Sequence, residues 1–121
     1  MAAIARLIQE RIQATPTLQK YALDLWKATR EPTVFGIKID GVDMNRLVLA
    51  GGSARGMSMM MRTARVSAWL EGREHLIPED LQRVFRETVA HRIFFSPVYE
   101  MRRTEIIGAL MDGILNRVAA P

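Results

Sequence analysis

The chain has no cysteine, which excludes a disulfide framework and a thiolate metal site. Its two histidines, His75 and His91, lie too far apart in sequence to form a local ligand pair, so no metal site is expected. No apolar run approaches the ~20 residues needed to cross a bilayer, and the N-terminus lacks the basic-then-apolar plan of a signal peptide. A cytoplasmic protein with no membrane partner is expected. Internal repeats and low-complexity stretches are also missing. The 121 residues are expected to form one domain, 1–121, large enough to bury a core without staples. The net charge of +4 and a sequence pI near 10.1 invite a nucleic-acid reading, but the excess is modest. Arginines alternate with acids, as in Arg83, Arg86 and Glu87, which describes a solvated or ion-paired face, so nucleic acid is not an expected partner.

What is present is helical periodicity. Ile4, Leu7, Ile8 and Ile12 recur at the spacing of an amphipathic helix over 2–14, with Arg6, Glu10 and Arg11 in water. Pro16 separates it from a second helix over 17–30, marked by Leu18, Tyr21, Ala22, Leu25 and Trp26 and capped by Thr15 or Thr17. The two read as an antiparallel hairpin. Over 31–42 the period changes, and Val34, Phe35, Ile37 and Ile39 among Gly36 and Gly41 predict an extended loop or small β-hairpin near 33–42. Asp43 caps a short helix through Leu49 that ends at Gly51 and Gly52. The main helix runs over 53–71, with Met57, Met60, Met61, Ala64 and Ala68 as one apolar stripe and Trp69 beside it. Thioethers at this spacing predict core, with an adaptable binding surface as the alternative. A turn or short extended piece at 74–77 leads to a helix opened by Pro78, with Glu79 and Asp80 matching its dipole. A last helix begins between Pro97 and Thr104 and carries Ile107, Leu110, Met111, Ile114, Leu115 and Val118. The expected fold class is all-α, a bundle of five or six helices.

One place breaks the local rules. Ser53 is the expected N-cap of the main helix, so Arg55 falls in its first turn, where the macrodipole disfavours a cation by roughly 0.3 to 1 kcal/mol. Gly56 follows, about 1 kcal/mol worse than Ala in a helix unless a close backbone approach requires it. Adjacent unfavourable choices mark a candidate functional site; a solvated, idle arginine is the alternative. Gly51, Gly56 and Ser58 also fit the glycine and serine positions of G-x-x-x-x-G-K-[ST], with 47–50 imitating its strand. Met57 occupies the lysine position and no acid-terminated strand is available for Mg²⁺, which rejects an autonomous phosphate loop. Glu71, Glu74 and His75 lack a nucleophile or oxyanion donor and read as a surface turn. His91 and Arg92 suit the negative end of a helix, with a phosphate or subunit contact as the alternative, and Arg102 and Arg103 add charge nearby.

The order of these features resembles the C-terminal helical lid of MoxR-type AAA+ ATPases. The resemblance covers most of the chain. It rests on Gly52-Ser53-Ala54-Arg55, similar to that family's G-x-S-P-R, on the following RTARVSAWLEGRE helix, on Leu76-Ile77-Pro78-Glu79-Asp80-Leu81, and on Ala90-His91-Arg92-Ile93. Ala54 stands for the usual proline, Gly56 for alanine and Ile77 for a threonine-type cap, and the 34–42 segment is longer than is common. The resemblance implies an AAA+ lid excised from a larger ATPase whose α/β core carries the Walker motifs. It implies that Arg55 is the sensor-2 residue contacting the ATP γ-phosphate, with Gly52, Ser53 and Arg55 as cofactor-binding residues. ATP and Mg²⁺ would be cofactors of the parent only, and no hydrolysis is expected of this chain alone. The implied partners are the AAA+ core of the same protein, neighbouring subunits of a hexameric ring, and a client protein that the ATPase remodels or matures. A free-standing helical module that binds protein or nucleic acid is the alternative from a different class.

Overall fold

Local chemistry sets the helix boundaries. In the computed structural model, which describes residues 2–51 and 53–121, α1 is Ala2–Arg11 and α2 is Pro16–Arg30. Thr15 is the cap of α2: its hydroxyl accepts the Leu18 N–H at 3.2 Å, and Pro16 occupies the first position, where a missing N–H is harmless. A 3-10 turn, Pro32–Phe35, follows. Then come α3 (Met44–Leu47), β1 (Val48–Ala50), α4 (Ala54–Leu70) and α5 (Pro78–Val89). A second 3-10 turn, Ala90–Arg92, leads into β2 (Phe94–Phe95), α6 (Pro97–Glu100) and α7 (Arg103–Arg117). Five helices are long; α3 and α6 are single turns of 4 residues each.

The all-α expectation holds, with three local corrections. α1 stops at Arg11, and the chain beyond it pairs with the segment after α4: the Gln13 N–H donates to Glu74 at 2.9 Å and the Leu76 N–H to Gln13 at 2.8 Å. α1 therefore packs chiefly on α4 rather than folding back on α2 as a hairpin. The 33–42 segment takes the loop alternative rather than the β-hairpin: after the 3-10 turn it is a loop anchored by buried Ile37. The short helix after Asp43 ends at Leu47, not Leu49. Its expected tail is β1, which pairs antiparallel with β2 (Val48 opposite Phe95, Ala50 opposite Phe94). Pairing across 45 residues leaves no periodic mark in three residues of sequence, so tertiary contact overrides the helical reading.

The core joins α2, α4, α5 and α7. Leu25, Met60, Ala64, Leu81, Phe85, Leu110 and Ile114 are fully enclosed in it. A buried side chain of the Leu or Phe class contributes about 1.5–3 kcal/mol relative to an exposed one, so this contact sets the angle between α4 and its neighbours. The methionine stripe is core at its centre: Met60 is buried, while Met57 and Met61 are half-buried.

Candidate functional site

β1 delivers the chain to Gly51 at the end of α2. A Cβ on Gly51 would overlap the Arg30 side chain and come within 2.9 Å of the Arg30 Cα, so glycine allows a backbone approach here and is not the helix C-cap expected. Gly52 lies outside the described residues, so its expected cofactor contact has no geometry here. Ser53 is extended and caps α4 as expected. Its hydroxyl accepts the Gly56 N–H at 3.2 Å, and its carbonyl accepts the Met57 N–H at 3.1 Å.

Arg55 is the second residue of α4, exposed, and makes no hydrogen bond or ion pair among the described residues. No acid stands in the first turn. A cation at the positive end of a helix with no partner is therefore available to an anion supplied from outside the chain.

Gly56 is a point of close packing. A Cβ there would lie 2.9 Å from Trp26 Cζ2 and 3.0 Å from Arg92 Cδ. The first turn of α4 is thus held between an indole of α2 and the aliphatic stem of Arg92. The Trp26 Nε1 is buried without a hydrogen-bond partner among the described residues. Arg92 Nη2 reaches Met59 Sδ at 3.1 Å, one helical turn after Arg55. Between α2 and α4 an open groove of about 510 Å³ runs along Leu23, Ala54, Met57, Met61 and Arg62.

The other candidates separate by partner. Exposed Glu71 accepts bonds from Arg73 at 2.8 Å and Arg83 at 3.3 Å; these arginines hold its carboxyl below the usual range, an ion-paired turn rather than a reactive site. His75 pairs through its backbone with Gln13. His91 is exposed beside Leu49 and Phe94. Arg102 pairs with Glu105 at 3.1 Å. Arg103 is structural: it donates to Glu100 at 2.8 Å and to the carbonyls of Ala90 at 2.6 Å and Ile93 at 2.8 Å, and its guanidinium lies 5.1 Å from the Phe95 ring centre.

Sequence reasoning missed one clasp. Asp80, fully buried at the start of α5, takes two bonds from Arg73, at 2.6 and 2.7 Å, and a third from the Ile77 N–H at 3.0 Å. Isoleucine cannot cap α5 with its side chain, and Asp80 supplies the reciprocal half of the cap alone. An acid three residues after the cap position, with an arginine seven residues before it, was the available signal.

The family described as AAA lid domain matches residues 45–109. The protein MoxR of Methylorubrum extorquens is 48% identical over 118 residues, covering 98% of this chain and 34% of that protein. The protein MoxR of Paracoccus denitrificans is 42% identical over 118 residues, covering 98% and 35%. A solved structure of a protein assigned as an ATPase from Cytophaga hutchinsonii superposes with a TM-score of 0.80 at 26% identity, over 96% of this chain and 34% of that one. The chain thus spans about a third of the length of these relatives.

Proposed function

The chain belongs to the AAA lid domain family, as the lid of a MoxR-type AAA+ ATPase, and on that premise we propose that it senses nucleotide through Arg55. The observation that carries this reading is Arg55, exposed in the first turn of α4 and without a partner among the described residues. Guanidinium suits the task because it is always charged and offers a planar fork of donors to phosphate oxygens. Arg55 would meet the γ-phosphate of ATP, with Ser53 fixing the helix start from which it extends. The first turn of α4 offers no carboxylate for Mg²⁺, and that ion would be held by the core.

ATP supplies the phosphoryl chemistry when bound to the parent. The lid contributes a donor whose engagement differs between ATP and ADP, and that difference biases its angle to the core. The parent is proposed to work in the cytoplasm as a hexameric ring that remodels or matures a client protein, with lid motion passed to neighbouring subunits. The test is Arg55→Ala in the full-length protein. Loss of one charge-assisted bond, about 1.5–3 kcal/mol, is expected to lower ATP affinity or turnover at least about tenfold. Unchanged affinity and turnover would remove Arg55 from the role.

A further inference from the structure

We infer that the Arg92 guanidinium is a second phosphate-binding cation, acting beside Arg55 on the same nucleotide; the inference rests on the nucleotide-sensing reading above. Five arginines are half-buried: Arg65, Arg73, Arg92, Arg102 and Arg103. Four of them reach oxygen acceptors. Arg65 donates to the Ile12 carbonyl, and Arg73, Arg102 and Arg103 donate to carboxylates. Arg92 alone has none among the described residues, and its only partner is the Met59 thioether at 3.1 Å. That contact is exposed, and thioether sulfur is a weak acceptor, whereas guanidinium bonds most strongly to carboxylate or phosphate oxygens. The head group of Arg92 is therefore placed and open to an anion from outside the chain.

Its placement is specific. Met59 follows Arg55 by four residues and so lies on the same helix face, with Cβ atoms about 5–6 Å apart. The Arg92 head group thus lies one turn from Arg55. Its stem is fixed where Gly56 leaves room, with Cδ 3.0 Å from the position a Cβ would take. A pinned stem preorganises the fork and reduces the ordering that binding requires. α4 contains no Asp or Glu along its length, so nothing on that helix neutralises the two cations. A polyphosphate, with several anionic oxygens, matches two adjacent forks better than one.

The experiment measures equilibrium binding of fluorescently labelled ADP and of a slowly hydrolysed ATP analogue to the full-length protein. The variants are Arg55→Ala, Arg92→Met and Arg92→Lys. Arg92→Met keeps the stem over Gly56 and removes the charge. It is expected to weaken the ATP analogue about tenfold and leave ADP within about twofold. Arg92→Lys keeps the charge but loses the planar fork, and its ATP-analogue affinity is expected to fall between wild type and Arg92→Met. Arg92→Gln, also neutral, repeats the measurement if the Met variant does not fold. Wild-type discrimination in the neutral variants, or an equal fall for both nucleotides, would overturn the inference and leave Arg92 a brace for α4. If Arg55→Ala binds normally while Arg92→Met does not, the Arg55 reading fails and the phosphate contact belongs to Arg92. If neither variant changes binding, both fail.

Discussion

Asp80 shows how one residue can fix a helix start to the turn before it. Its carboxylate is fully buried, and burial alone would push its pKa up; the two Arg73 bonds and the Ile77 N–H outweigh that and hold it below the usual range. Arg73→Ala would leave this charge buried without its main partner. Breaking such a pair costs about 3–5 kcal/mol, and Arg73 still touches solvent, so the low end, roughly 3 kcal/mol and about a 10 °C fall in melting temperature, is expected in calorimetry. The pH dependence follows from the lowered carboxyl. Stability from the clasp is fully present above the unfolded carboxyl pKa of about 3.9 and is lost as pH falls through the lower folded value. Urea midpoints measured from about pH 6 to 2 should therefore drop on the acid side, and Asp80→Asn should flatten that part of the curve. A variant that keeps the full acid slope would show that other carboxylates set it.

Among the elements, legibility followed periodicity. The long helices α2, α4, α5 and α7 were readable because their buried residues recur every three to four positions; the first three also carry Thr15, Ser53 or Pro78 at their starts, whereas α7 has no capping side chain and its start was legible only as a range. β1 and β2 were not, since each is too short to show alternation and each exists through the other. The candidate site divides in the same way. Arg55 could be found from its conflict with the helix dipole, and for Arg92 a phosphate contact stood as an alternative to helix capping; its place against Gly56 was hidden, because it exists only in the tertiary fold. The 36–43 loop tests how far a non-periodic element depends on one anchor. Ile37 is only 3% exposed and lies against α7 at Gly113, while its flanks, Gly36 and Lys38, are in solvent. Ile37→Ala should lower stability by about 2–4 kcal/mol and speed amide exchange in this loop more than in α5. Uniform acceleration across both would mean that the loop is part of the global core.

At the scale of the whole molecule, Arg55 and Arg92 stand outside the buried core, so folding and the proposed nucleotide recognition make separate demands on the chain. The buried cluster runs from Ile8 to Val118 and includes neither arginine. The proposed nucleotide contacts are incomplete. Arg55 is exposed, and an ion contact in open water is worth only about 0–1 kcal/mol, because solvent and salt screen it. The same contact strengthens when a second domain excludes water around it. The isolated chain should therefore unfold in one cooperative transition. With a dissociation constant of about 10 mM or weaker, 1 mM ATP stabilises it by less than about 0.1 kcal/mol, a melting shift well below 1 °C. Thermal denaturation with and without ATP, at low and moderate salt, measures this directly. A rise of several degrees would mean that the chain carries a whole nucleotide site, and steep low-salt binding to DNA or RNA would instead favour a free-standing module. No shift here, joined to a loss of ATP discrimination on Arg55→Ala in the full-length protein, would mean that the lid's arginines recognise nucleotide only when another domain encloses them.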